Sequence, residues 1–378
     1  MTIFQKKNKI QEDALNSWRD NKFKSLIAMC TGSGKTRVGV LAAKYVANLN
    51  PNAKILVVVP TETLRDEGWK EEFKKWESEI LYDTNVDTKC YVSINKTEKD
   101  HYDLVILDEC HRVTEANYEF FTKNKVDKIL ALTATPPKDD IKRDILHNLL
   151  KLKISFNYPL DQGVKDGVVA PFKIKIVEVN LSDKKDLVVK TKAKTYTTSE
   201  KARYDALTRV INQMMFSGKD VPVYMYLNRM RFLYDLPSKT KLAQKIIKDK
   251  FRDDERFLIF SGSIAQAETL CKHSHHSKKK NNDDLIALKA GRINRMSCVK
   301  SLNEGENIPN MDSALIVQVT SKDLDLIQRV GRVVRVREGH EAVIWILSVV
   351  NTKDADWVAK AIEGFDPNVI EYINAKNL

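Results

Sequence analysis

The chain has 378 residues, of which 30% are charged, and a formal net charge of +12. That length suffices for two medium domains with cores of their own, and no run approaches the roughly 18 apolar residues that cross a bilayer. The basic surplus points to a polyanionic partner, most simply nucleic acid, although a merely soluble basic protein would carry the same charge. Met1 to Lys9 has lysines but no apolar segment behind them, so no secretory signal is expected. Five scattered cysteines, Cys30, Cys90, Cys110, Cys271 and Cys298, predict a reducing, cytoplasmic setting and no disulfide framework.

The first informative element is the apolar run Leu26–Met29, read as a strand, followed by Thr31-Gly32-Ser33-Gly34-Lys35-Thr36. A strand, a glycine-rich turn and a Lys-Thr pair opening a helix form the phosphate-binding loop of a nucleoside triphosphatase. Glycines let consecutive N–H groups curl toward phosphate oxygens, and the helix N-terminus adds partial positive charge. Lys35 is placed to reach the β- and γ-phosphates, and the Thr36 hydroxyl to hold Mg²⁺. The usual first glycine of the motif is absent, because Met29 stands in its place.

Three continuous apolar runs follow, Lys54–Val59, Asp103–Leu107 and Lys128–Leu132. Runs apolar on both faces suit a parallel sheet covered by helices. Trp69, Phe73 and Trp76 fall at i, i+4 and i+7, a helix stripe read as core packing rather than a base-stacking platform. Asp108-Glu109-Cys110-His111 comes directly after a strand, where open α/β sheets line their ligand crevice. There Asp108 is expected to hold Mg²⁺ and Glu109 to orient and deprotonate the attacking water. Thr133-Ala134-Thr135 ends the next strand and reads as a link between nucleotide state and domain position.

Around Asp161 to Pro171 the pattern breaks, which predicts a first domain over 1–165 and a second over 166–378. A strand over Phe172–Val179 opens the second, followed by a lysine-rich, mostly helical stretch from Ser182 to Lys250. Strands are then expected over Arg256–Phe260, Ser297–Val299, Ala314–Gln318 and Ala342–Leu347, making a second α/β domain. The tract Lys272–Asn282 reads as a loop. Cys271, with His273, His275 and His276 of the tract, lacks the second ligand pair of a zinc site, and the lysine run beside them reads as a loop facing a phosphate backbone, set against plain solvated surface. In Gln328–Arg335, Arg332 and Arg335 stand three apart on one helix face. They suit either developing γ-phosphate charge or a nucleic-acid backbone, and the segment alone does not separate the two.

Taken in order, these motifs resemble those of superfamily two helicases of the DExH type, most closely compact phage-encoded members, over Gln11 to Arg335. Ala28–Thr36 matches motif I, Val59-Pro60-Thr61 motif Ia, Asp108–His111 motif II and Thr133–Thr135 motif III. Phe260–Ser263 resembles motif IV, Asn303–Pro309 motif V and Gln328–Arg335 motif VI. The resemblance implies two RecA-like parallel-sheet domains in tandem, with ATP and Mg²⁺ as cofactors. It implies that Gln11, otherwise an ordinary exposed helix residue, reads the adenine. Pro60, Thr61 and Ser261 would contact the nucleic-acid backbone, Gly305 and Asn307 the nucleotide, and His111, Thr133 and Thr135 would couple the two events. It turns Gln328, Arg332 and Arg335 into catalytic residues, the arginines being arginine fingers. Asn307 stands where many members have Asp, and Val299 where many have Thr.

The expected activity is that of an ATP-dependent DNA helicase or translocase in a host cytoplasm, with no membrane involvement. The alternatives are an RNA helicase, the duplex-translocating motor of a restriction or remodelling assembly, and a nucleotide-gated binding module with little turnover. DNA is favoured over RNA as the partner.

Overall fold

The computed structural model describes residues 2–137, 139–190, 194–279, 281–299, 311–319 and 341–378. The chain divides into two compact units, the first running to Pro171 and the second beginning at Phe172. The residues just before this break belong to the first body. Gly163 lies so close to Cys30 and Val169 that a Cβ there would meet both at about van der Waals overlap, 3.0 and 2.9 Å. Val168, Val169 and Ala170 are buried.

In the first unit the described strands are β1 (Lys24–Met29), β2 (Ile55–Val59), β3 (Val86–Cys90), β4 (His101–Leu107), β5 (Lys125–Thr133) and β6 (Lys153–Tyr158). They pair in parallel in the order β3-β2-β4-β5-β1-β6. The runs apolar on both faces, β1, β2, β4 and β5, occupy the middle. β3 and β6 lie at the edges, and their mixed sequences, Val-Asp-Thr-Lys-Cys and Lys-Ile-Ser-Phe-Asn-Tyr, have no continuous apolar signal because an edge is only half covered. Helix α1 (Ile3–Asp20) starts with a capping box between Thr2 and Gln5, and α2 (Lys35–Leu49) follows the glycine-rich turn. Because β4, β5 and β1 are parallel neighbours, the loops leaving their C-terminal ends share one rim of the sheet.

The second unit is built on β7 (Phe172–Val179), β10 (Phe257–Phe260), β11 (Ser274–His275), β12 (Arg295–Cys298), β13 (Ser313–Ile316), β14 (Ala342–Val349) and β15 (Ile370–Asn374). Among the described residues these form a parallel sheet in the order β11-β12-β10-β13-β14-β7-β15. One expectation is refined and another corrected. The stretch from Ser182 opens with an antiparallel hairpin, β8 (Leu187–Lys190) with β9 (Thr195–Thr198), before its helices Glu200–Phe216, Val223–Tyr234 and Pro237–Lys250. Val188-Val189 and Tyr196-Thr197-Thr198 are strand formers with no helical periodicity. The tract expected as a loop also contains β11, which pairs with β12.

A fully buried ion pair lies inside this unit. Lys239, at 0% exposure, donates to Asp354 Oδ1 and Gln318 Oε1, both at 2.8 Å, and the Val349 amide donates to Asp354 Oδ2 at 2.8 Å. Burial pushes the Lys239 ammonium below its ordinary value, and Asp354 opposes that shift. Substituting Lys239 by Met leaves Asp354 charged in a dry site. The expected loss of unfolding free energy is roughly 3–5 kcal/mol, read as a lowered denaturant midpoint for the second unit. A midpoint unchanged from the parent would show that the pair does not hold this unit together.

Candidate nucleotide-binding site

The buried strand β1 delivers Cys30 and then the turn. Gly32 and Gly34 sit at φ +86° and +93°, left-handed conformations that strain any side chain. Ser33 is buried, and its hydroxyl donates to the Cys30 carbonyl at 2.6 Å. No side chain caps the N-terminus of α2, and the buried Thr31 Oγ1 has no hydrogen-bond partner. A turn of left-handed glycines, uncapped helix amides and an orphaned hydroxyl fits a phosphate chain.

Lys35, the first residue of α2, places Nζ 3.4 Å from Glu109 Oε1. Asp108 and Glu109 leave the end of β4, with Glu109 held in a left-handed conformation at φ +48°. That is an uncommon setting for a non-glycine residue. Asp108 is 5% exposed and accepts from the indole of Trp69 at 3.0 Å, while Tyr91 donates to the Asp108 carbonyl at 2.9 Å. Burial first, and the adjacent Glu109 charge second, push the Asp108 carboxyl well above its ordinary range. Burial also acts to raise Glu109, but Lys35 and His111 outweigh it and hold that carboxyl low. Two carboxylates with one lysine between them leave a net demand for positive charge, so the donor set fits a divalent cation.

His111 is buried beside both groups. Its Nδ1 lies 3.2 Å from Thr133 Oγ1 and 3.4 Å from Glu109 Oε2. The second contact is too long to satisfy the carboxylate, and Oε2 has no hydrogen bond of its own. Thr133 Oγ1 in turn donates to the Thr135 carbonyl at 2.8 Å and accepts from the Thr135 amide at 3.2 Å. Lys35, Glu109, His111, Thr133 and Thr135 therefore lie in succession, joined by hydrogen bonds from His111 to Thr135 and by a looser charged contact between His111 and Glu109. Thr36 is half-buried at the second position of α2.

Gln11 is not the exposed helix residue its surroundings in the sequence suggest. It is 3% exposed and packs onto the loop, donating from Nε2 to the Ser33 carbonyl at 2.8 Å. A Cβ on Gly34 would lie 2.1 Å from the same nitrogen, so a side chain there would displace the Gln11 amide from the loop as well as straining the turn. Gln11 Oε1 accepts from Arg37 at 2.7 Å, and Arg37 also donates to Asn8 and lies 3.8 Å above the Trp76 ring. Both ends of the Gln11 amide are thus engaged within the chain.

Sequence reasoning missed Trp69, Tyr91 and Arg37 as neighbours of the site. A usable signal existed for Trp69, since a buried indole N–H needs an acceptor, and its stripe lies on α3 (Trp69–Lys75). Pro60 and Thr61 follow β2 and are half-buried, with Thr61 Oγ1 accepting weakly from the Leu64 amide at 3.4 Å. Ser261 departs from expectation. It is buried, and its hydroxyl is bonded to Ser297 Oγ at 2.8 Å, so its side chain is not presented to a backbone outside. In the lysine run, Lys279 pairs with Asp284 at 2.6 Å. Asp284 also takes His273 at 2.8 Å, and among the described residues no group of three or more His, Cys, Asp or Glu side chains is arranged to hold a metal by itself. Gly305, Asn307, Gln328, Arg332 and Arg335 lie outside the described residues.

The first unit matches the family model "Type III restriction enzyme, res subunit" over residues 4–92 and 85–138. The "Helicase conserved C-terminal domain" matches residues 238–337. A DNA 3'-5' translocase, XPB2 of Sulfurisphaera tokodaii, is 22% identical over 379 residues, covering 89% of this chain and 80% of that one. A relative encoded by the Sulfolobus islandicus filamentous virus is 24% identical over 366 residues, covering 87% of this chain and 61% of its own length. The crystal structure of the Pyrococcus furiosus Hef helicase domain superposes with a TM-score of 0.58 at 15% identity, over 93% of this chain and 98% of that domain. No helix among the described residues is long and apolar enough to cross a membrane. With a phosphate-loop sheet followed by a second parallel sheet, and the two helicase models matched in that order, the chain belongs to the superfamily two helicases, nucleic-acid-dependent ATPases built from two RecA-like domains.

Proposed function

We propose that the chain is an ATP-dependent DNA helicase or translocase. The observation that carries this is the convergence of Lys35, Asp108, Glu109, His111 and Thr133 on one sheet rim, in a chain of helicase ancestry. Bound Mg²⁺ would supply charge neutralisation at the β- and γ-phosphates. Thr36 and Asp108 would hold it, with Trp69 fixing the Asp108 carboxylate. Lys35 neutralises phosphate charge, and the loop amides from Thr31 to Gly34 cradle the chain of oxygens. Glu109 positions and deprotonates the attacking water, its orientation set by Lys35 and His111. Gln328, Arg332 and Arg335 stabilise the charge that develops at the γ-phosphate, and Gly305 and Asn307 complete the nucleotide contacts. His111, Thr133 and Thr135 carry the change in Glu109 to the strand ends. Gln11 reads adenine only after exchanging its bonds to Ser33 and Arg37 for bonds to the base. Pro60 and Thr61 lie on the nucleic-acid track.

DNA is the favoured partner because the XPB2 relative is named as a DNA translocase. The deciding experiment compares ATPase stimulation by single-stranded DNA, duplex DNA and RNA, with binding followed across a salt series. Stimulation by DNA is expected, with a log–log salt slope of about −0.7 for each phosphate neutralised on a single strand. Stimulation by RNA alone would reassign the substrate. A slope near zero would remove the nucleic-acid interpretation of the +12 charge.

A further inference from the structure

Much of the basic surplus is concentrated in one part of the chain. Residues 182–250 contain 16 Lys+Arg against 7 Asp+Glu, a surplus of +9 in a chain whose total is +12. The helices Glu200–Phe216 and Val223–Tyr234 within it pack on one another as a helical hairpin, joined by a short turn through Gly218 at φ +68°.

The base of this hairpin is firmly mounted. Glu200 is buried and accepts from the amides of Ser182 at 3.0 Å and Ser238 at 2.8 Å, clipping together the two ends of the segment that holds the hairpin. The Tyr204 hydroxyl accepts from the Lys353 amide at 3.0 Å, and Leu233 and Leu236 pack with Val349. Tyr234 packs edge-on against Trp357, with ring centroids 6.1 Å apart. It also sits so close to Gly262 that a Cβ there would lie 2.9 Å from both the Cβ and the carbonyl oxygen of Tyr234. The hairpin therefore rests on the turn that follows β10, and it leaves the body from the C-terminal end of β7. Because the sheet is parallel, those two strand ends lie on the same rim.

The tip is the opposite. Phe216 is 91% exposed, and Met215, Val223 and Tyr224 are exposed beside the turn that carries Lys219. Large apolar side chains bared together at the end of a rigid arm mark an interaction site. The hairpin itself, residues 200–234, carries six Lys+Arg against three Asp+Glu, with Lys219 beside Asp220 in its turn; aromatic faces on a net-positive arm are what binding of unpaired bases uses, the rings stacking on bases while cations track the phosphates. A second copy of the chain would bring the same positive field and be repelled.

We propose that the tip of this helical hairpin, through Phe216 and Tyr224, stacks against unpaired bases of a nucleic-acid strand and acts as the strand-gripping pin of the enzyme. This rests on the helicase function proposed above. The test uses the full chain and fluorescence anisotropy with labelled oligothymidine and blunt duplex DNA, alongside circular-dichroism melting. The double substitution Phe216→Ala with Tyr224→Ala removes no charge. Oligothymidine affinity is therefore expected to fall by about fivefold or more for each ring lost, with the salt slope and the duplex affinity retained. Phe216→Trp should keep the affinity and Phe216→Leu should not, since only the former preserves a stacking face.

Unchanged oligothymidine binding by the double variant, against a parent that binds, overturns the pin while leaving the helicase function standing. Full retention by Phe216→Leu also overturns it, because any apolar contact would then suffice. Sedimentation showing a parent dimer that the double variant lacks assigns the patch to a second copy instead. A parent that binds no strand in any nucleotide state overturns both proposals together.

Discussion

Replacing Lys35 with alanine is expected to abolish ATP turnover in a protein that still folds. Lys35 opens α2 at the sheet rim and contributes no core packing; its ammonium faces Glu109 at 3.4 Å. With nucleotide bound, that charge would move between the carboxylate and the phosphates. Its removal takes away a preorganised positive group where negative charge develops, an effect worth at least about 10²–10³ in rate for a single such group. The variant also loses the main influence that keeps Glu109 ionised against its burial, so the water-activating base is weakened at the same time. Phosphate release and a melting curve on the same preparation check this. A parental rate in a folded variant would sink the nucleotide assignment.

Arg332→Ala and Arg335→Ala are expected to lower kcat by roughly 10³-fold or more, the scale seen for arginine fingers, with ATP affinity changed much less. The asymmetry follows from the chemistry. These guanidinium groups meet charge that is present only in the transition state, so the loss falls on turnover rather than ground-state binding. Both residues lie outside the described residues, and the assignment comes from the match of Gln328, Gly331, Arg332 and Arg335 to motif VI. Basal ATPase, stimulated ATPase and strand binding are measured on each variant. Intact basal and saturating stimulated rates with weakened strand binding would make the pair a backbone contact instead.

The sequence by itself determined those features that local periodicity and motif chemistry encode. The central strands of both sheets were legible because a strand covered on both faces must be apolar throughout, as Leu56-Val57-Val58-Val59 is. The positions of the glycine-rich turn after β1 and of the Asp108-Glu109 pair after β4 were legible because each directly follows an apolar run that marks its strand. The edge strands β3 and β6 were not, since half their surface meets water and their patterns dissolve into ordinary polar sequence.

Tertiary structure alone decided whatever depends on two distant segments meeting. Nothing near Gln11 in the chain announces that its amide will close onto Ser33 and Arg37, because a polar residue on an amphipathic helix is buried only when its partner arrives from elsewhere. The same holds for Trp69, read as core from its spacing and found to be both core and donor to Asp108. Ser261 kept its place after β10 but turned its hydroxyl inward to Ser297 on the neighbouring strand, a pairing that strand order sets. The bare tip at Phe216 shows the reverse case. In sequence it is one more apolar residue on a helix, and only the arrangement of the neighbouring described elements shows that none of them covers its ring. Side-chain periodicity reports which residues need burial, whereas the topology of the sheets determines which receive it and what they meet there.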